Sequence, residues 1–316
     1  MKLHLYAKLT KDLDKSRSAV ERYIYNAPMK YKVYTIPKRT SGQRVIAHPA
    51  RKLKVFQRAL IKVIEPHFNL HIKAMAYRKG IGIKHNAAIH QNNNYLLKLD
   101  FNDFFNSITP DLLFTHFLKK EILLSDAEKK LLTNTFFWNK PKKKDGKLVL
   151  SVGAPSSPFI SNLILFPFDE LIDDYCSKKN ISYSRYADDL TFSTSEKNIL
   201  FQLPSLVKRH LSSIYKNKIT INEFKTVFSS KAHNRHVTGV TITNTGELSI
   251  GRERKRLISS LIHKFKIGEL NLDLTRYLQG LLSFASDIEP SFKSRMELKY
   301  SLSTIEKIIK FRGKNE

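Results

Sequence analysis

The sequence predicts an α+β fold, since strand patterns in its middle give way to helix patterns toward its end. The first strand pattern covers residues 95–101 and the second, a hairpin, covers 181–194. Past Gly251, apolar pairs recur at the spacing of helices. We therefore expect a sheet in the central part of the chain and a helical subdomain after it.

The first strand pattern is YLLKLDF (95–101). Leu97, Leu99 and Phe101 fall on one face, and Leu96, Lys98 and Asp100 fall on the opposite face. This period of two is typical of a half-buried strand. Asp100 ends the strand on its mixed face.

The second pattern is a pair of strands, ISYSRY (181–186) and LTFST (190–194). Ala187, Asp188 and Asp189 separate them. The two acids are therefore expected at the tip of a hairpin.

The remaining elements alternate between helices and short strands, with an excursion away from the sheet at 112–150. The predicted helices are 125–138, 157–179 and 203–215, and the predicted strands are 235–243 and 247–250.

Charge is the strongest global property of the 316-residue chain. It has 55 Lys and Arg against 28 Asp and Glu, a net charge of +27. Such an excess indicates a polyanionic partner, with nucleic acid the leading candidate and solvated surface charge the alternative. No apolar stretch is long enough for a membrane span or a signal peptide, and a single cysteine, Cys176, excludes an internal disulfide. We expect a soluble, cytoplasmic protein.

Asp100, Asp188 and Asp189 stand at strand ends in a cationic chain. Neighbouring carboxylates repel one another, and hard divalent cations such as Mg²⁺ relieve that repulsion. Two such ions can support phosphoryl transfer. The alternative is that Asp188 and Asp189 form a solvated turn and that Asp100 only ends a strand.

Four segments, in the right order, resemble the boxes of reverse transcriptases. They are YTIPKRTSGQRVIAHP (34–49), LDFNDFFNSI (99–108), VGAPSSPFISNLI (152–164) and YSRYADDLTFS (183–193). Three more segments are similar to signatures of the bacterial retron branch. They are NAAIH (86–90), INEFKT (221–226) and HVTGVTI (236–242).

The resemblance implies a right-hand polymerase with an antiparallel palm sheet and a helical thumb. Its fingers would be residues 1–94, its palm 95–250 and its thumb 251–316. The basic excursion at 112–150 would return from the palm to the fingers.

By resemblance, Asp100 and Asp188 would bind two Mg²⁺ ions, with the Phe101 carbonyl as a backbone ligand. Asp189 would support the site or bind a metal less directly. Asp103 also matches a motif position, but a cap or turn is expected there because it lies beyond the strand end.

Other matched residues would bind the incoming nucleotide. Phe105 corresponds to the bulky residue that rejects a 2′-hydroxyl, although an ordinary core aromatic is the alternative. Lys38 and Arg44 match the residues that grip the triphosphate, and Arg39 is an equally reasonable neighbour.

Gly153 and Ala154 would offer small surfaces near the base pair. The family commonly has Gln where this chain has Val152, so any contact made by that Gln is in question. Lys225 corresponds to a lysine proposed to protonate pyrophosphate, and a surface lysine is the alternative.

A last group of residues would bind RNA. Asn86 and His90 lie four residues apart, on one face of a helix, where they would bind RNA or lock the fingers. The other predicted RNA-binding residues are Val237, Thr238, Gly239, Arg252, Arg254, Lys255 and Arg256.

The resemblance thus implies a retron reverse transcriptase. Such an enzyme binds a structured noncoding RNA, starts DNA at a guanosine 2′-hydroxyl within it, and makes branched RNA-linked DNA (msDNA) from dNTPs. It would serve antiphage defence with a separate effector or toxin protein. The alternatives are a reverse transcriptase of the intron or diversity-generating type, and a noncatalytic RNA-binding protein on the same fold.

Overall fold

The computed structural model describes residues 1–38 and 42–312. The helices are α1 (Leu5–Leu13), α2 (Arg17–Ile24), α3 (Arg51–Ile64), α4 (Ile83–Ala88), α5 (Phe104–Ser107), α6 (Pro110–Lys119), α7 (Asp126–Phe136), α8 (Ser157–Lys178), α9 (Leu203–Tyr215), α10 (Arg252–Lys266), α11 (Leu272–Ile288), α12 (Pro290–Tyr300) and α13 (Leu302–Lys310). The strands are β1 (Tyr31–Pro37), β2 (Gln43–Pro49), β3 (Tyr95–Asp100), β4 (Trp138–Asn139), β5 (Leu148–Val149), β6 (Ser182–Tyr186), β7 (Asp189–Thr194), β8 (Val227–Ser230), β9 (Arg235–Val237), β10 (Val240–Ile242) and β11 (Leu248–Ser249).

Helix ends follow the local sequence. The Ser125 side chain accepts from the Glu128 N–H and the Glu128 carboxylate accepts from the Ser125 N–H, a capping box that starts α7. Pro158 stands in the first turn of α8, where its missing N–H has no helical partner to lose.

The largest sheet has four strands in the order β6-β7-β3-β8. Strands β6 and β7 are joined by only two residues, Ala187 and Asp188. The predicted strands at 95–101, 181–186 and 190–194 are therefore confirmed within one residue at each end.

The chain divides into two compact units. The first contains residues 1–77, 98–190 and 201–226, and part of its core is formed by Tyr31, Leu53 and Trp138. The second contains residues 78–97 and 191–200 together with the described residues from Val227 onward. Its core joins α4 and the β9-β10-β11 sheet to the apolar faces of α10 to α13.

The strand expected at 235–243 is wrong in one respect, because it is two strands. Thr238 and Gly239 both have positive φ, 46° and 84°, and turn β9 back onto β10. A two-residue turn with left-handed residues matches the twist of a hairpin.

No helix in the described part of the chain is long and apolar enough to cross a membrane. Arg39 lies outside the described residues. The structure does not test the predicted limits of fingers, palm and thumb, which stay predictions.

Candidate active site

Asp100 lies at the end of β3 and is largely buried. Its carbonyl accepts from the Asn222 N–H at 2.7 Å, and the Asn102 N–H donates to the Thr220 carbonyl at 2.8 Å. The segment after α9 therefore runs alongside the strand end. This backbone pairing brings Lys225 to the Asp100 side chain, although 125 residues separate them in sequence.

Asp188 meets the end of β3 through a backbone hydrogen bond, because its carbonyl accepts from the Phe101 N–H at 3.1 Å. Ala187, just before it, has a φ of 59°, a left-handed conformation that costs an alanine about 1 kcal/mol. The turn between β6 and β7 thus holds Asp188 beside Asp100.

The electrostatics agree with this juxtaposition. Loss of solvent raises the pKa of Asp188, repulsion from Asp100 raises it further, and the cationic Lys225 and Arg44 oppose the shift. The Asp189 side chain is exposed at the strand end, yet the surrounding protein displaces much of its water. This desolvation, followed by repulsion from Asp188 and Asp100, raises the pKa of Asp189 to about 6. The three carboxylates therefore act on one another.

No three acidic, histidine or cysteine side chains within residues 1–38 and 42–312 form a ready-made set of metal ligands. Instead, the Lys225 ammonium lies 2.8 Å from Asp100 Oδ1. The donor set nonetheless fits a hard divalent cation, since Asp188 and Asp189 gain from any positive charge that relieves their repulsion. Lys225 supplies part of that charge in this structure.

Phe101 and Asp103 have separate roles. The Phe101 ring is buried and stacks on Phe104 with ring centroids 5.3 Å apart. Asp103 accepts from the Asn106 amide at 2.7 Å and pairs with Lys140 at 3.1 Å. These contacts occupy Asp103 in the turn before α5, as expected, while metal binding by the Phe101 carbonyl stays a prediction.

A cavity of about 310 Å³ lies in the same unit and contains three of the predicted nucleotide-binding residues, Phe105, Gly153 and Ala154. Gly153 has a φ of 119°, and a side chain there would come within 3.3 Å of the Ala47 carbonyl. The Ala47 N–H also donates to the Val152 carbonyl at 3.0 Å. The 152–154 loop is thus fixed against β2, and a residue with a Cβ would be strained at 153.

Arg44 and Lys38 belong to the exposed hairpin formed by β1 and β2. Arg44 is opposite Ile36 in the register, and its charge opposes the rise in the pKa of Asp188. The Lys38 N–H donates to the Gly42 carbonyl at 2.9 Å, closing the hairpin end. The structure thus places the charge of Arg44 within electrostatic reach of Asp188, and the triphosphate contacts of both residues stay predictions.

Three charged or aromatic residues that line the cavity escaped sequence analysis. They are Lys54 and Arg58, which are four residues apart on α3, and Tyr77, whose φ is 65°. The i, i+4 spacing of two cations on a helix was a usable signal for Lys54 and Arg58. Nothing local to the sequence marks Tyr77.

Direct RNA contact by Asn86, His90 and Val237 is contradicted by burial, because none of these residues has accessible surface. Asn86 Nδ2 donates to Thr238 Oγ1 at 3.3 Å, and His90 Nδ1 is 2.7 Å from Ser193 Oγ. A hydrogen bond therefore joins the two retron-like signatures at 86–90 and 236–242, and Asn86 supports the left-handed Thr238.

The basic residues of α10 differ in whether they already have partners within the protein. Arg254 donates to the Gly239 carbonyl at 2.6 Å and lies over the Phe284 ring, while Lys255 pairs with Glu289 at 2.7 Å. Arg252 and Arg256 are exposed. RNA binding thus remains a prediction for the exposed cations and for the Thr238 to Gly239 turn.

Comparison with known proteins first shows the class of protein to which this chain belongs. Residues 36–242 match the family "Reverse transcriptase (RNA-dependent DNA polymerase)". The fold is similar to a solved telomerase from Candida albicans, with a TM-score of 0.51, 12% identity, and coverage of 94% of this chain and 59% of that one. The chain thus spans less than two thirds of the telomerase chain, and that likeness bears on fold alone. An α+β fold with these matches is that of a right-hand polymerase, as predicted.

The sequence relatives narrow the class to a family. The chain is 54% identical to the retron Ec83 reverse transcriptase of Escherichia coli over 89% of its length and 90% of the relative's. It is 30% identical to the retron Ec86 reverse transcriptase of the same species, over 92% of this chain and 85% of the relative. The chain belongs to the retron reverse transcriptases. It is an RNA-directed DNA polymerase, a class that copies RNA templates and uses divalent metal ions.

Proposed function

We propose that this retron reverse transcriptase transfers nucleotides at Asp100 and Asp188, with Asp189 in support and two Mg²⁺ ions as cofactors. One observation carries the assignment. The Phe101 N–H donates to the Asp188 carbonyl at 3.1 Å, which holds the end of β3 against the turn between β6 and β7. Carboxylates from two elements are thereby brought to one place in the first unit.

Each residue has a distinct part in this proposal. Asp100 and Asp188 hold the cations, which when bound lower the pKa of the attacking hydroxyl and neutralise the triphosphate. Phe105 and Gly153 shape the cavity that receives the sugar and base. Lys225, already at Asp100, places an ammonium where pyrophosphate departs.

We propose further that the enzyme uses its own noncoding RNA as primer and template. Synthesis from dNTPs starts at a guanosine 2′-hydroxyl and yields branched msDNA. A net charge of +27 supports binding of a structured RNA. Membership of the retron family supports a role in antiphage defence with a separate effector protein.

The catalytic assignment is tested by extension of the native RNA with Mg²⁺ and labelled dNTPs. Asp188→Asn is expected to reduce the rate roughly 1,000-fold or more, since it removes a metal-binding charge. Asp103→Asn is the matched control, because Asp103 is an exposed acid of the same unit with its own partners. Wild-type synthesis by Asp188→Asn would refute the site.

The priming step needs a separate experiment. An RNA with 2′-deoxyguanosine at the branch position is compared with the unmodified RNA, and products are separated on denaturing gels before and after RNase treatment. DNA covalently joined to RNA is expected only with the unmodified guanosine. Equal product from both RNAs would contradict 2′-hydroxyl priming while leaving the catalytic residues untouched.

A further inference from the structure

A fully buried polar cluster of Asp169, Arg185 and Asn162, termed the brace, lies next to the turn between β6 and β7. Arg185 NH2 lies 2.6 Å from Asp169 Oδ2, and Arg185 NH1 donates to Asn162 Oδ1 at 2.9 Å. All three side chains lack accessible surface. The brace joins β6 to α8 within the first unit.

Two ends of the brace reach main-chain carbonyls. Arg185 NH1 donates to the Ala187 carbonyl at 3.1 Å, and Asn162 Nδ2 donates to the Ala76 carbonyl at 3.1 Å. The first carbonyl belongs to a left-handed residue, Ala187, with a φ of 59°. The second immediately precedes another left-handed residue, Tyr77, with a φ of 65°. For a bulky residue such as tyrosine this conformation is a genuine outlier that its surroundings must hold.

The main chain of Arg185 reinforces the connection. Its N–H donates to the Lys73 carbonyl, and its carbonyl accepts from the Met75 N–H, both at 2.8 Å. Residues 73–75 are therefore paired with β6, and Tyr77 follows them to line the cavity that also contains Phe105.

Stability alone does not account for the brace. A buried ion pair loses about as much solvation as it gains in attraction, and apolar residues of similar size would often stabilise a core at least as well. The hydrogen bonds that leave the pair for Ala187 and Ala76 are directional, whereas apolar packing is not. These two hydrogen bonds therefore hold the main chain in place at Ala187 and immediately before Tyr77.

We infer that the brace positions Asp188 and Tyr77 in the active site, and that the half-exposed Tyr77 ring contacts the incoming nucleotide. This inference rests on the proposed assignment of Asp188 as a metal-binding residue. Arg185 and Asn162 are positioning residues, since neither reaches the cavity, whereas Tyr77 is a binding residue.

Two variants separate the ends of the brace. Arg185→Lys keeps a positive charge at Asp169 but loses the fork that reaches Ala187, so kcat is expected to fall roughly 10- to 100-fold with a smaller change in KM for dNTP. Asn162→Leu releases Ala76, so KM for dNTP is expected to rise roughly 10-fold, and Tyr77→Ala is expected to raise it similarly. Steady-state extension of the native RNA gives both constants.

Stability is controlled with Tyr215→Phe, which removes a buried hydrogen bond to the Ile164 carbonyl in the same unit and leaves every hydrogen bond of Asp169, Arg185 and Asn162 in place. Its kcat and KM are expected to stay within about twofold of wild type. If Arg185→Lys does not fold, the pair Asp169→Leu with Arg185→Met, which leaves no unpaired buried charge, carries the same kinetic test.

Asp188→Asn distinguishes a failure of this inference from a failure of the proposed catalytic site. If Asp188→Asn abolishes synthesis while folded Arg185→Lys and Asn162→Leu keep wild-type constants, the brace is only structural and the inference is wrong. Retained activity in Asp188→Asn would instead overturn the proposed site itself. A fall in kcat for Tyr215→Phe equal to that for Arg185→Lys would assign the effect to lost stability and also overturn the inference.

Discussion

Lys225 and Asp100 show how one contact constrains the chemistry of a residue. The Lys225 side chain is more than half exposed, yet its ammonium lies 2.8 Å from Asp100 Oδ1. An exposed lysine ordinarily contributes little through an ion pair. Its position beside a predicted metal-binding carboxylate therefore points to a role in the reaction rather than in stability.

Lys225→Met tests that role. Loss of the ammonium is expected to lower kcat roughly 100-fold through the lost proton donor. It is also expected to lower the Mg²⁺ concentration for half-maximal rate, because no cation competes for Asp100. Titrating Mg²⁺ during primer extension measures both effects. Lys208→Met, which breaks an exposed ion pair with Glu223, serves as the control, and identical behaviour of the two variants would remove Lys225 from the mechanism.

Phe105 is the second residue with a specific expected role, which is selection of dNTP over rNTP. It lines the cavity, whereas its neighbour Phe104 is buried against Phe101. Phe105→Ala is expected to reduce the preference for dNTP over rNTP roughly 10- to 100-fold by making room for a 2′-hydroxyl. Competition between dNTP and rNTP in single-nucleotide extension measures the ratio, and Phe104→Leu should leave it unchanged. An unchanged ratio in Phe105→Ala would identify Phe105 as ordinary packing.

Among the elements, the junction of β11, α10 and α12 depends on one carboxylate. Glu289 accepts from Ser249 Oγ at 2.7 Å and from the Ile250 N–H at 3.2 Å, and it pairs with Lys255 and Arg295. Partial burial alone would raise the pKa of Glu289, but these donors outweigh it and lower the pKa below its usual 4.5. The strand and both helices are thus joined at a single side chain.

Glu289→Gln is therefore expected to destabilise the protein by about 2 kcal/mol at neutral pH, a typical value for hydrogen bonds to a charged group. Because the folded pKa lies below the unfolded one, this contribution is present above about pH 4.5 and disappears as pH falls through the folded value. Thermal unfolding of wild type and variant between pH 3.5 and 7 should converge at the acid end. Glu253→Gln, an exposed acid of α10, is the control, and a pH-independent difference for Glu289→Gln would contradict the assignment.

The elements also show where local patterns mislead. The 235–243 segment has the composition of one strand, but Thr238 and Gly239 turn it into a hairpin. Likewise, the predicted helical face shared by Asn86 and His90 is wrong, because α4 ends at Ala88, and both side chains are buried. A spacing of four residues says neither where a helix ends nor what covers its side chains.

For the whole molecule, the dominant property is positive charge. If RNA is held mainly through its phosphates, the logarithm of the affinity should fall linearly and steeply with the logarithm of salt concentration. Arg252→Gln and Arg256→Gln are each expected to reduce that slope by about 1. Filter binding of the native RNA from 50 to 300 mM KCl measures it. Lys310→Gln, whose lysine is already paired with Glu306, should change it less, and a flat salt response in wild type would contradict phosphate-dominated contact.

The sequence alone determined the α+β class, the strand at 95–101, the hairpin at 181–194 and the acids at their ends, because alternation and turn residues act over a few neighbours. It also indicated a polyanionic partner, since net charge depends only on composition. Only the tertiary structure decided that Lys225 meets Asp100, that Asn86 supports Thr238 and that Arg185 and Asn162 reach the residues before Asp188 and Tyr77. These contacts join residues distant in sequence, so they are fixed by which surfaces pack together, and no local pattern records that choice.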